Sequence, residues 1–154
     1  MASDGSPVRR KGFFMDQTQN PKHYGRLVVS TTAAFGAIPI RDAFVSIRIP
    51  NEETGSEITH ILMTGIDGLT DAIEIETPSP EESLSPGGKK PFTEVDIEVS
   101  ADGYYRVVSR SVPIYPGITS IQPVRMIPIP ESEDGKEFPN DTIVVREGDG
   151  GPNL

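Results

Sequence analysis

The 154-residue sequence predicts an all-β fold, a seven- to eight-stranded antiparallel β-sandwich with disordered termini. Three observations carry this expectation. Ile97-Glu98-Val99-Ser100 alternates apolar and polar side chains, runs into Ala101-Asp102-Gly103, and leaves as a second strand from Tyr104 to Val108. Such alternation marks a half-buried strand, and an Asp-Gly pair supplies the positive φ of a short hairpin connection. About seven β-prone runs are separated by turn signals at intervals of about 8–12 residues, the spacing of a sandwich. Finally, no stretch has the period of a long helix and no internal repeat occurs.

In chain order, residues 1–25 are rich in Gly, Ser, Pro, Asn and Gln and read as a flexible arm; Phe13, Phe14 and Met15 are its apolar exception. The domain, residues 26–130, opens on the β-branched run from Arg26 to Thr32. Ala43, Val45, Ile47 and Ile49 share one face of the next strand, which Pro50 ends. Asn51 to Gly55 turns the chain, Ile58 to Thr64 forms a strand, and Asp67-Gly68 makes a second turn. Ile73 and Ile75 then alternate with Glu74 and Glu76. Ser79, Pro80 and Glu82 match a capping box, predicting one helical turn over residues 80–84. After the Asp102-Gly103 hairpin, Val112 to Gly117 is a proline-bounded turn. Pro123 interrupts the strand from Thr119 to Ile127, which suits a sheet edge. Residues 131–154 form an acidic tail, disordered except that Thr142-Ile143-Val144-Val145 can add to an exposed strand edge.

Hydrophobic residues make up 35% of the chain, with 15 Gly and 15 Pro, so a modest core with irregular connections is expected. The net charge of −9 argues against nonspecific binding to nucleic acid or an anionic membrane. The charge is uneven. Arg9, Arg10, Lys11, Lys22 and Arg26 outnumber the acids of the first 26 residues, whereas seven acids crowd residues 128–154, and opposed tails of this kind can pair. Cysteine is absent, which excludes disulfides and thiolate metal sites. No apolar run is long enough to span a membrane. Arg9-Arg10-Lys11 precedes only Phe13-Phe14-Met15, too short for a signal-peptide core, so cytoplasmic synthesis is expected.

The chemical readings are sparse. There is no Gly-x-Ser-x-Gly elbow and no Gly-rich phosphate loop, and the EF-hand order is missing around Asp67 and Asp71. His23 falls in the arm and His60 on a strand, so nothing pairs them. Glu74 with Glu76, and Asp96 with Glu98, each project from one strand face and read as a solvated outer surface. No catalytic residue, cofactor or metal is expected. Partner contacts are assigned to Phe13, Phe14, Met15, Tyr105, Tyr115, Ile143, Val144 and Val145, with self-association or a protein partner engaged through the termini. Tyr105 and Tyr115 carry the alternative, a carbohydrate platform for peptidoglycan or polysaccharide.

Gly36-Ala37-Ile38-Pro39-Ile40, Asp42 to Val45, Thr64 to Thr70, Ser83 to Gly87, Ala101 to Tyr105, Ile118 to Val124 and Met126-Ile127-Pro128 occur in this order. In that order they resemble the transthyretin-like, or carboxypeptidase-regulatory-like, sandwich modules, in particular those of bacterial spore cortex-lytic proteins. The resemblance spans roughly Gly25 to Pro130. It implies a non-enzymatic interaction or structural module in a spore, cell-wall-associated or phage-like assembly. Hydroxyisourate hydrolases of similar fold end in Tyr-Arg-Gly-Ser, whereas this chain ends in Gly-Pro-Asn-Leu. Intradiol-type iron sites on similar sandwiches take two His and two Tyr, and both His here are poorly placed. An isopeptide bond would need a first-strand lysine where Arg26 to Val29 stand.

Overall fold

The alternating segments form two facing sheets in the computed structural model, which describes residues 20–51, 53–84, 86–88, 90–131 and 142–146. The strands are β1 (His23–Ala33), β2 (Ile38–Pro39), β3 (Phe44–Pro50), β4 (Glu57–Met63), β5 (Ile73–Thr77), β6 (Thr93–Ser100), β7 (Arg106–Ile114), β8 (Thr119–Arg125) and β9 (Thr142–Arg146). In one sheet β1 is flanked by β2 and β5 on one side and β8 on the other; the second runs β4-β3-β6-β7-β9. The chain is therefore an all-β sandwich. Short β2 and the tail strand β9 take the count beyond the expected seven to eight.

Alternation sets the core. Leu27 and Val29 from β1, Val45 and Ile47 from β3, Ile97 and Val99 from β6, and Ile114 from β7 are all 0% exposed, with Val107 at 3%. Their outward neighbours carry the charge. Glu98 lies between Arg48 at 3.6 Å and Arg106 at 3.4 Å, while Asp96 meets Arg110 at 3.0 Å. Asp96 also accepts from the Ser111 amide at 3.0 Å, where the β6–β7 register shifts and Ser111 takes a φ of 57°. The carboxylate thus fixes a bulge. Among the exposed pairs, Glu76 accepts a 3.1 Å hydrogen bond from Lys22. That bond raises the Lys22 pKa above its ordinary value. Its small stabilisation is present at neutral pH and fades only as alkaline pH passes that raised value.

Two pairings depart from the antiparallel expectation. β8 runs parallel to β1, from Arg26 opposite Thr119 to Thr32 opposite Arg125. β9 runs parallel to β7, from Arg106 opposite Thr142 to Arg110 opposite Arg146. The reason is the route of the chain. The turn at residues 115–118 carries it from the end of β7 into the other sheet, where β8 starts beside the start of β1. Gly117 donates to the Tyr24 carbonyl at 2.8 Å and Arg26 to that of Ile118 at 2.9 Å, closing this end. After β8 the chain crosses the β6–β7 loop, so β9 starts where β7 starts.

Other details follow the sequence more closely. Residues Pro80–Leu84 form a 3-10 turn whose Glu81 amide donates to Ser79 Oγ at 3.3 Å. Pro123 sits on β8, which pairs only with β1 and is an edge. Within the hairpin only Gly103 has a positive φ, at 82°; Asp102 does not. Residues Thr142–Arg146, the β-prone run of the acidic tail, are a strand that adds to the chain's own β7, because the β-branched run satisfies that open backbone edge. Likewise β1 begins at His23, ahead of the expected boundary at residue 26.

Candidate functional site

The described residues offer one concavity of note, an open groove of about 280 Å³ at the end of the sandwich where β6 turns into β7. Asp42 and Phe44 form one wall and Asp102, Tyr104, Tyr105 and Arg106 the other. Backbone bonds hold both walls. Tyr104 donates to Ala101 at 3.1 Å, Tyr105 to Ile127 at 2.9 Å, and Ile129 to Gly103 at 2.8 Å. Opposite them, Asp42 takes a φ of 57° and its amide donates to the Thr64 carbonyl at 2.9 Å. Thr64 is buried; its hydroxyl accepts from Ala43 at 2.9 Å and donates to Ile40 at 2.7 Å. Thr31 and Thr70 do similar work nearby: Thr31 Oγ1 donates to the Ile40 carbonyl at 2.8 Å, and Val29 donates to Thr70 Oγ1 at 3.0 Å. Nothing local in the sequence marks these three buried threonines, whose hydroxyls bond to the backbone of residues distant in the chain.

The groove is amphipathic. Phe44 is 44% exposed, and Tyr104 and Tyr105 are both half-buried, with Tyr104 packed against the core. Arg106 leans on Glu98, and Asp42 has Arg41 at 3.6 Å. Aromatic faces beside carboxylates and a guanidinium suit a ligand that both stacks and hydrogen-bonds.

The structure does not bring the assigned binding residues together. Tyr105 precedes β7 and Tyr115 follows it, so the nine residues of the strand hold them roughly 30 Å apart. A joint Tyr105–Tyr115 platform is therefore corrected. Tyr115 packs instead on Phe92, ring centroids 5.3 Å apart, with Lys90 5.8 Å from the Phe92 ring. Ile143 and Val145 face inward from β9, Val145 against the core, whereas Val144 is 51% exposed. Phe13, Phe14 and Met15 lie outside the described residues. His23 opens β1 and His60 lies in β4, in opposite sheets. No group of three or more His, Cys, Asp or Glu able to hold a metal ion occurs among the described residues. Nor, among them, is any helix long and apolar enough to cross a membrane.

The chain matches no protein-family model and no curated protein. It is similar in structure to catechol 1,2-dioxygenase from an Acinetobacter species, inhibited by bound mercury. The TM-score is 0.52 at 14% identity, over 83% of this chain and 60% of that one. Catechol 1,2-dioxygenase from Pseudomonas arvilla gives 0.49 at 15% identity, covering 87% and 61%. A minor pilin of Streptococcus agalactiae gives 0.41 at 14%, covering 78% and 49%. The chain thus spans about 60% of the length of these dioxygenases, and the likeness to the Acinetobacter enzyme establishes a shared β-sandwich. The expectation that the chain is not an enzyme is corrected on this finding. Catechol 1,2-dioxygenase is an enzyme with the same sandwich, so the architecture is compatible with catalysis.

Proposed function

We infer that the chain is a protein-interaction module that joins copies of itself, or a protein partner, by strand addition through its C-terminal segment. The supporting observation is β9. It lies at a sheet edge, pairs with β7 alone, and is connected to the sandwich through residues 132–141. The β7 edge accepts an extended apolar segment, and the same segment from another chain would make the same contacts. The transthyretin-like resemblance of Gly36–Ile40, Ala101–Tyr105 and Ile118–Val124 to modules of spore cortex-lytic proteins supports a setting in a spore, cell-wall-associated or phage-like assembly.

A chain ending at Glu131 tests this. Its number of subunits by light scattering is expected to fall below that of the full chain. It is also expected to lose about 2 kcal/mol of stability with the half-buried Ile143 and Val145. A synthetic peptide of residues 140–148 is expected to bind the shortened chain, and the same peptide with Val144→Pro is not, because proline removes a ladder donor. A chain ending at Glu131 that keeps the full chain's number of subunits refutes the reading.

The groove favours a second reading, a carbohydrate site on Tyr105 with Asp42 and Asp102 at its rim. Tyr105→Ala is expected to abolish retention on purified cell wall and to leave native mass unchanged. Equal retention of both proteins excludes it.

A further inference from the structure

A sheet edge presents a row of unpaired backbone donors and acceptors, and natural proteins guard such edges with prolines, charges, bulges or brevity. Most edges of this sandwich are guarded. β8 carries Pro123 in mid-strand and ends on Arg125. On the far side of β1, β2 has two residues and ends on Pro39, while β5 presents Glu74 and Glu76. β9 has five residues and ends on Arg146. β4 differs. It has seven residues, no proline, an unbroken register with β3, and one charged side chain, Glu57, at its first position.

Apolar exposure gathers at this same edge. Met63 lies opposite Phe44, and Ile61 opposite Ser46, on the outer face of the sheet. Ile61 is 61% exposed and Met63 59%, and Ile58, on the opposite face of the same strand, is 48% exposed. The middle of that face carries instead the ion pairs of Glu98 and Asp96. Ile61 and Met63, with Phe44 next to them on β3, thus line the β4 edge apart from these ion pairs.

We propose that this edge joins two copies of the chain, their β4 strands pairing antiparallel about a two-fold axis to fuse two five-stranded sheets into one. A second copy fits on geometry and on charge. β4 already runs antiparallel to β3, so the two-fold continues the sense of the sheet. With the axis at Thr59, His60 or Ile61, Glu57 falls opposite Ile61, Met63 or Gly65 of the other copy. No acids then face each other, although each chain carries a net charge of −9. With the axis at Ile61 the two Ile61 side chains lie opposite each other, so the strips of Phe44, Ile61 and Met63 become continuous and leave water together. This interface is independent of β9, at the opposite edge of the same sheet.

The absence of cysteine makes the test direct, because a single introduced thiol can form a disulfide only with another chain. In the full-length protein under mild oxidation, one of Thr59→Cys, His60→Cys and Ile61→Cys is expected to cross-link most of the chains. Ile121→Cys, on the β8 edge, is expected to cross-link few. Ile61→Lys changes an exposed side chain and leaves the core intact. It is expected to raise the dimer dissociation constant about 100-fold in sedimentation equilibrium, with an unchanged thermal midpoint. A monomeric wild-type chain, equal cross-linking at Ile121, or an Ile61→Lys protein of wild-type mass overturns the proposal. Strand exchange through β9 fails separately: a chain ending at Glu131 that keeps the full chain's subunit number refutes that reading and leaves the β4 interface standing.

Discussion

Ile47→Ala is expected to destabilise the domain by about 2–5 kcal/mol, the range for emptying a fully buried aliphatic site. Ile47 is 0% exposed, on a strand paired on both sides, with His60 opposite it in β4 and Ile97 opposite it in β6. It faces the inner surface of the other sheet, where Leu27, Val29 and Ile75 belong to the same cluster. Little can collapse into the vacated space, because the backbone on either side is fixed by ladders and the facing side chains are held by their own strand. A domain of this size is typically stable by only about 5–15 kcal/mol, so the variant sits near the edge of folding. Urea titration followed by circular dichroism checks the prediction. Ile47→Val is expected to lose about 0.5–1.5 kcal/mol, and Ser46→Ala, on the outer face, much less. Equal losses at positions 46 and 47 would place the core elsewhere.

Much of this architecture was legible because it is written in short-range pattern. Ala43, Val45 and Ile47 announce their face by alternation, and Ile97 and Val99 do the same ahead of Asp102-Gly103. What was hidden depends on contacts distant in sequence. Nothing near Thr119 says that it will lie beside Arg26, or that the Thr142 run will settle parallel to β7. Gly25, read as the last residue of a flexible arm, is buried. A side chain there would overlap the Tyr115 carbonyl oxygen and approach Ile114 Cγ2 to 2.7 Å, a constraint set by a turn ninety residues onward in the chain, roughly. β4 obscured its role in the opposite way. Ile58, Ile61, Leu62 and Met63 do not alternate cleanly, because an edge strand can leave apolar side chains outside the core. The groove was half visible: Tyr104 and Tyr105 stand out in the hairpin, but Asp42 and Phe44 join them only through the fold. Conversely, Tyr115 was grouped with Tyr105 by chemistry alone, and the length of β7 separates them.

Gly68→Ala is expected to lose about 2–5 kcal/mol, by two effects that a control can separate. Gly68 has a φ of 76°, a conformation that costs a residue with a Cβ about 1–2 kcal/mol. An added Cβ would also lie 2.6 Å from the Thr31 carbonyl oxygen and 3.0 Å from Pro39 Cβ. Neither neighbour can yield easily. Thr31 is 0% exposed; its amide donates to the Gly68 carbonyl at 2.8 Å, and its hydroxyl, which donates to Ile40, lies 3.2 Å from the same oxygen. Pro39 is held by β2 pairing with β1. Overpacking of this kind adds roughly 1–3 kcal/mol. Gly103 has a similar φ, 82°, but a Cβ there would meet nothing within 4 Å. Gly103→Ala should therefore show the conformational part alone, about 1–2 kcal/mol. The difference between the two variants in urea denaturation measures how tightly the 65–70 turn is packed on β1. If Gly68→Ala is no worse than Gly103→Ala, the turn is free to lift away, and the bond from Thr31 to Gly68 does not hold it in solution.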